Sequence, residues 1–215
     1  MTEQNFERMR RAMVASQLRP TGVNDAPVLD ALGAVPRERF VPPAWRSLAY
    51  VDATVPLGHD RAMSQPVVLG RLLTEARPRA GERALVVGAA LGYSAAVLAA
   101  IGLEVIALEE QAALAGEARI ALGGVARVVE GPLNQGWASG APYDLILIDG
   151  AVERVPDALP AQLREGGRLA TALNERGVTR LAIGRRAGTG FGLACFADAE
   201  AASLPGFAPA PQFSF

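Results

Sequence analysis

Apolar residues recur at helical spacing near the start of the chain. Over residues 5–18 they are spaced for one face of a helix, and most of the arginines lie elsewhere. A second short helix is predicted over residues 26–33, and the prolines of "VPRERFVPP" prevent a helix beyond it. We therefore expect an N-terminal third that forms a helical cap on a core.

From Arg83 onward the pattern changes to short apolar runs that alternate with helical segments. Continuous apolar strands indicate a sheet that is covered on both faces. The predicted class is α/β, with a doubly wound, Rossmann-like and mostly parallel sheet. The predicted strands cover residues 84–87, 104–108, 126–129, 143–148 and 168–173, and the predicted helices cover 94–100, 112–122 and 156–163.

Two more apolar runs, "TRLAIGRR" and "FGLACFADA", follow Asn174 and are separated by a glycine-rich turn. With no helical segment between them, they predict an antiparallel hairpin at the edge of the sheet. The proline-rich end, "LPGFAPAPQFSF", is predicted to be an irregular tail.

Composition narrows the expected partners and compartment. Half of the 215 residues are apolar, and 21 basic against 22 acidic residues give a net charge of −1. Without a Lys/Arg block, no nucleic acid and no membrane surface is expected as a partner. No apolar run reaches the ~18 residues of a membrane span, and the N-terminus lacks a secretion signal, so we expect a cytoplasmic protein. The single cysteine, Cys195, has apolar neighbours and is predicted to be buried rather than nucleophilic.

A glycine loop, "GAALGY" at residues 88–93, follows the first strand of the predicted sheet. Doubly wound sheets bind ligands at this turn, where backbone N–H groups can approach the ligand closely. Position 90 is alanine, so the G-x-G-x-x-G pattern of nicotinamide cofactors is absent. Glu109 ends the next strand 21 positions beyond Gly88, where a carboxylate can accept hydrogen bonds from ribose hydroxyls. The loop is either part of a nucleoside site or a structural turn, and Glu109 favours the nucleoside site.

Several motifs occur together in one order: "SQLRPTGVND", "VLDALGAVPRERFVP", "AYVDATVPLG" and "MSQP", then "ALVVGAALGYSAAVLA", "APYDLILIDGA" and "LPAQLREGGRL". Over about residues 13–173 they resemble the protein-L-isoaspartate O-methyltransferase family, whose members use S-adenosylmethionine. The resemblance is specific to that family. It implies a single methyltransferase-like domain with an N-terminal cap and acceptor loop over 1–75, a cofactor-binding core over 76–173, and an edge hairpin and tail over 174–215.

The resemblance also implies which residues form the site. Gly88 and Gly92 would hold the methionyl part of the cofactor, and Glu109 would hold the ribose. The adenine would lie near Glu130 and Gly131. Ser64 matches the serine of the family's T-I-S-Q-P loop, which lies over the methyl acceptor. The other assigned positions are Ala89, Tyr93 and Asp149 for the cofactor and Arg61 and Met63 for the acceptor.

The chain departs from the family pattern within these motifs. Typical members have an acidic residue two positions before the first loop glycine and a G-x-G-x-G loop, whereas this chain has Val86 and Ala90. Where the family shows G-D-G after the third strand, this chain reads "EGP", so Glu130 would have to substitute one position earlier. The glycine and glutamine that usually precede the acceptor loop are Asp60 and Arg61 here.

Four residues keep two interpretations each. Ser64 either contacts the acceptor or cofactor, as the predicted catalytic-site residue, or only caps the helix that follows it. Arg61 either pairs with a substrate carboxylate or is solvated in an exposed loop. Asp149 either contacts the ligand or caps a turn. His59 is expected to be a solvated loop residue rather than a catalyst.

A metal ion is not expected, because magnesium at Asp149 would need further oxygen ligands that the next strand does not offer. The leading hypothesis is S-adenosylmethionine-dependent methylation of L-isoaspartyl carboxylates in damaged proteins. The alternatives are a binding protein that kept the fold without turnover, and a methyltransferase for another acceptor. Val86, Ala90 and Gly131 motivate the first alternative.

Overall fold

A seven-stranded sheet forms the centre of the computed structural model, which describes residues 2–207. A separate hairpin pairs β1 (Val55–Gly58) with β2 (Arg61–Met63), and the strands of the sheet are β3 (Arg83–Val87), β4 (Glu104–Glu109), β5 (Arg127–Glu130), β6 (Tyr143–Val152), β7 (Leu163–Glu175), β8 (Val178–Ala187) and β9 (Gly190–Asp198). The strand order is β5-β4-β3-β6-β7-β8-β9, in which the pairs from β5 to β7 are parallel and those from β7 to β9 antiparallel. The α/β class, the parallel core and the edge hairpin are confirmed. Residues 208–215 of the predicted tail lie outside the described residues.

The α-helices cover one face of this sheet. Val86 of β3 belongs to the core that the helices form with the sheet, whereas Leu85 and Val87 point into a second core on the opposite face. The helices are α1 (Glu3–Met13), α2 (Ala26–Ala34), α3 (Pro66–Ala76), α4 (Tyr93–Ile101) and α5 (Ala112–Leu122). A π-helical turn at Val14–Leu18 extends α1, so the predicted N-terminal helix is confirmed over its full length. No helix within residues 2–207 is long and apolar enough to cross a membrane.

Loops, 3₁₀ turns and the segment around Leu204 cover the second face. The predicted helix over residues 156–163 is wrong: only a 3₁₀ turn at Pro160–Gln162 forms there. Pro160 explains the difference, because it lies inside the predicted helix, where proline donates no backbone hydrogen bond and its ring clashes with the carbonyl of the residue four positions earlier. This face is therefore covered by irregular chain that approaches the ends of the central strands.

Cys195 is exposed, which contradicts its predicted burial. It lies on β9, which among the strands of residues 2–207 pairs with β8 alone, and most side chains of β9 reach solvent. The apolar sequence suggested a core strand, but an edge strand with little chain packed over it leaves apolar residues exposed.

Candidate functional site

The β1–β2 hairpin directs Arg61 into the protein. Its turn is formed by His59 and Asp60, which are exposed and have positive φ angles of 52° and 55°. Two successive residues with positive φ are the mark of a type I′ turn, which matches the twist of the two strands. His59 is thus an exposed turn residue, as expected, and Arg61 is buried, so its interpretation as a solvated loop arginine is wrong.

A buried ion pair joins Arg61 to Glu109 at the end of β4. The Nη1 atom of Arg61 donates to both carboxylate oxygens, at 2.8 and 3.0 Å, and Nη2 donates to the carbonyl of Gly88 at 2.7 Å. The exposed fractions of the two side chains are 5% and 0%. In this arrangement the guanidinium faces the glycine loop and does not face solvent, where a substrate carboxylate would approach.

The Glu109 carboxylate is also held by three backbone N–H groups. They belong to Ala90, Glu110 and Gln111 and lie at 2.7, 2.9 and 3.1 Å. A carboxylate offers about four lone-pair positions. Because Arg61 and these N–H groups already use them, no acceptor is left for ribose hydroxyls in this conformation.

Three residues of the glycine loop have positive φ angles, and one of these positions is strained. Gly88 and Gly92 have φ angles of 79° and 97°, and Ala90, which replaces the family's middle glycine, has φ 47°. An alanine in this left-handed region costs about 1–2 kcal/mol. The bond from the Ala90 N–H to Glu109 helps to hold it there.

Gly88 and Gly92 are both in close contact with other parts of the chain. A Cβ at Gly88 would lie 2.8 Å from Leu204 Cδ1 and 2.9 Å from Arg61 Nη2, and a Cβ at Gly92 would lie 2.9 Å from Leu122. Gly92 therefore has a structural reason to be glycine, as a tight turn against α5. The close approach to Gly88 that was expected of a ligand is instead made by two side chains of the same chain, Leu204 and Arg61.

Ser64 is buried and links the acceptor loop to the C-terminal segment. Its Oγ accepts a hydrogen bond from the N–H of Ala202 at 3.1 Å. The residue before α3 is Gln65, and no side chain caps that helix, so the interpretation of Ser64 as a helix cap is wrong. Pro66 occupies the first turn of α3, as its preference for that position predicts.

Arg37 fixes the position of Ser64, and sequence reasoning missed it. Its Nη2 donates to the Ser64 carbonyl at 2.5 Å, its Nε donates to Ala49 O at 2.7 Å, and its guanidinium lies 4.8 Å from the centre of the Tyr93 ring. Burial lowers the pKa of Arg37. The only signal was its place in "VPRERFVPP", where nothing distinguishes a buried arginine from a solvated one.

Asp149 lies near the carboxyl end of β3 and accepts a hydrogen bond from Ser94 Oγ at 2.5 Å. Burial raises the pKa of its carboxyl, while Ser94 and the positive charges of Arg61 and Arg37 lower it. Asp149 thus belongs to the same polar cluster as Arg61 and Glu109. Over residues 2–207 no group of three or more His, Cys, Asp or Glu side chains is placed to bind a metal ion.

The other positions assigned from the sequence lie around this cluster. Glu130 is exposed and pairs with Arg119 at 2.6 Å, and a Cβ on Gly131 would lie 3.5 Å from the Trp137 ring. Val86, at the position of the family's acid, is fully buried in the helix-side core. The remaining assigned side chains are largely buried: Met63, Ala89 and Tyr93.

In the described conformation these residues do not fit a nucleoside cofactor. The carboxylate of Glu109, which is predicted to bind the ribose, is paired with Arg61, and the space beside Gly88 contains Leu204 and Arg61. Gly88 and Glu109, which are predicted to hold the cofactor, are nevertheless present. Leu204 and Arg61 of the same chain contact them.

The sheet order, the glycine loop after β3 and the acid at the end of β4 place the chain in the class of Rossmann-like methyltransferases. The family model described as "Protein-L-isoaspartate(D-aspartate) O-methyltransferase (PCMT)" matches residues 9–190. A protein-L-isoaspartate O-methyltransferase from Methylorubrum populi is 42% identical over 181 residues, which are 82% of this chain and 85% of that protein. The chain belongs to the protein-L-isoaspartate O-methyltransferase family, which uses S-adenosylmethionine.

Solved structures agree with this fold. A protein-L-isoaspartate O-methyltransferase superposes with a TM-score of 0.80 at 22% identity, over 92% of this chain and 67% of the other. A structure from Plasmodium falciparum, described as a beta-aspartate methyltransferase in complex with S-adenosyl-L-homocysteine, gives 0.78 at 19% identity, over 92% of this chain and 98% of the other. At these identities the likeness concerns the fold alone.

Proposed function

We propose that this chain is an S-adenosylmethionine-dependent methyltransferase that methylates the carboxylate of L-isoaspartyl residues in damaged proteins. The observation that carries the proposal is the family match over residues 9–190, which includes both the glycine loop and the acceptor loop. Relatives of about 42% identity over four fifths of the chain bear the name of this activity. The methyl ester would allow a succinimide to form and the damaged residue to return to aspartate.

The acceptor explains why the site needs no general base. A side-chain or main-chain carboxylate has a reference pKa near ~4 and is ionised at neutral pH, so it is already a nucleophile. The protein must then position that oxygen, and good alignment contributes several kcal/mol. Ser64 and Met63, on the loop fixed by Arg37, are the residues we propose for the acceptor side. The exposed His59 has no proposed role in the reaction.

One observation favours a second candidate, a protein that keeps the fold without turnover. The ion pair between Arg61 and Glu109 takes the hydrogen bonds that a ribose would need. If that pair were permanent, the chain would bind no cofactor and would act through protein partners.

A methyl-transfer assay separates these candidates. The purified protein is given S-adenosylmethionine labelled in its methyl group, together with either an isoaspartyl peptide or the same peptide with normal aspartate. We expect label only in the isoaspartyl peptide. No label from a folded preparation, with a family member active alongside, would exclude the repair activity. Equal labelling of both peptides would indicate another acceptor.

Ser64→Ala and Ser139→Ala form a matched pair for the same assay. Ser139 is exposed in a turn, whereas Ser64 is buried in the acceptor loop. We expect kcat/KM for the isoaspartyl peptide to fall for Ser64→Ala and to stay unchanged for Ser139→Ala.

The cytoplasmic location remains a proposal, which cell fractionation tests.

A further inference from the structure

The C-terminal segment at residues 202–204 extends the sheet into the crevice where ligands bind. The Ala151 N–H donates to Ala202 O at 2.7 Å, the Leu204 N–H donates to Ala151 O at 2.9 Å, and Ala151 and Ser203 form a parallel bridge. Lower in the sheet, β3 is the neighbour of β6 on one side. Since β3 ends at Val87 and β6 continues to Val152, the segment lies beyond the carboxyl end of β3.

This place is the switch point of the sheet. The chain order of the parallel strands reverses between β3 and β6, and open α/β sheets bind ligands in the crevice outside such a point. A segment of the same chain that hydrogen-bonds there takes up the volume of a ligand. The backbone alone thus points to competition between residues 202–204 and a bound cofactor.

The Leu204 side chain adds to this competition. It is buried and lies against the two glycines that border the crevice: a Cβ on Gly88 would be 2.8 Å from Leu204 Cδ1, and a Cβ on Gly150 would be 2.8 Å from Leu204 Cβ. Both glycines have positive φ angles, 79° and 157°. The close backbone approach that a glycine loop offers to a ligand is here used by a leucine.

Arg61 occupies the same crevice beside Gly88. Its guanidinium bonds the Glu109 carboxylate and the Gly88 carbonyl, so it satisfies the acid that would hold a ribose. Ser64, three residues after Arg61, accepts a hydrogen bond from the N–H of Ala202 through its Oγ. The β1–β2 hairpin and the C-terminal segment are therefore joined to each other as well as to the site.

We propose that Arg61 and residues 202–204 form a plug that closes the cofactor site, and that S-adenosylmethionine binds only when both leave it. The inference rests on the proposed function, because it assumes that the site beneath is able to bind cofactor. The ligand must supply hydroxyl groups to Glu109 in place of the guanidinium. Release of residues 202–204 also breaks the hydrogen bond from the Ala202 N–H to Ser64 Oγ, so cofactor binding and acceptor-loop position are coupled.

Molecules in which the plug closes the site lower the apparent affinity of the protein for its cofactor. When only a fraction of the molecules is open, the apparent Kd is the intrinsic Kd divided by that fraction. Variants that weaken the plug should therefore bind the cofactor product more tightly than the wild type, which is the reverse of the usual effect of mutating a binding site.

The test is calorimetric titration of the full chain with S-adenosylhomocysteine. Leu204→Ala removes the leucine side chain that contacts Gly88. Arg61→Gln removes the positive charge that pairs with the Glu109 carboxylate. We expect each to lower the Kd by about tenfold or more relative to wild type. The matched controls are Leu159→Ala, in the same core but apart from the glycine loop, and Arg83→Gln, which loses an exposed pair with Glu104; neither should change the Kd.

Hydrogen exchange on the wild type gives a second readout without mutation. The N–H groups of Leu204 and Ala151 hold the segment in place, so saturating S-adenosylhomocysteine should accelerate their exchange while other amides become protected. Equal Kd values for wild type, Leu204→Ala and Arg61→Gln, with these two amides still protected in the complex, would overturn the plug and leave the proposed function intact. No binding by any of the three folded proteins would overturn both.

Discussion

Replacing Arg61 by glutamine tests whether the ion pair with Glu109 exists in solution. Removing one partner of a buried pair costs about 3–5 kcal/mol, because the other charge stays buried without compensation. Three backbone N–H groups remain on Glu109, which favours the lower end of that range, and the lost bond to the Gly88 carbonyl adds about 1 kcal/mol. We expect Arg61→Gln to lower the free energy of unfolding by about 3–4 kcal/mol.

Urea denaturation followed by circular dichroism measures this loss. With a typical slope of ~2 kcal/mol per molar urea, the midpoint of Arg61→Gln should fall by roughly 1.5–2 M. The control is Arg83→Gln, whose pair with Glu104 is exposed and should contribute less than ~1 kcal/mol.

A double-mutant cycle then isolates the pair itself. Glu109→Gln keeps an oxygen for the backbone N–H groups but removes the charge, so the double variant with Arg61→Gln should be at least ~2 kcal/mol more stable than the sum of the single losses. Coupling near zero, or an Arg61→Gln loss no larger than that of Arg83→Gln, would refute the buried ion pair.

Three further experiments test other features of the same structure. Gly88→Ala should destabilise by about 2 kcal/mol or more through its positive φ and its contact with Leu204, and adding Leu204→Ala should remove part of that loss in the same urea assay. Because folding raises the pKa of Asp149 above its ordinary 3.8, its stabilisation is complete below that pH and is lost as pH rises through the raised value. As the pH rises from 3.8 through the raised pKa, the free energy of unfolding should therefore fall less for Asp149→Asn than for the wild type, which unfolding curves at a series of pH values measure. Cys195 is exposed, so a thiol reagent should label the folded protein to one equivalent without denaturant; labelling that requires denaturant would contradict the edge position of β9.

The strands and helices of the parallel core were predictable because their signals are local. The helix at Ala112–Leu122 begins and ends where the apolar pattern predicts, and the strands around Val87 and Glu109 are within one residue of prediction. Apolar periodicity and glycine positions depend on neighbours in sequence. The helix predicted over residues 156–163 does not form, because the apolar spacing there is outweighed by the interior Pro160.

The contacts within the candidate site were not predictable, since they join distant parts of the chain. Arg61 and Glu109 are 48 positions apart, and Ser64 and Ala202 are 138 positions apart. The sequence placed Arg61, Ser64 and Glu109 in one site through the family motifs, but it gave no sign that two of them bind each other. Leu204 lies in the segment that the sequence predicts to be an irregular tail, because a single leucine among prolines and alanines carries no periodic signal.

A crystal structure of the protein grown with S-adenosylhomocysteine shows whether the plug leaves the site when the ligand binds. We expect the ligand between the glycine loop and Glu109, with Arg61 withdrawn from its present 2.8 Å contact and residues 202–204 released from Ala151. A bound ligand with the Arg61–Glu109 pair and the Leu204 contact both intact would contradict it.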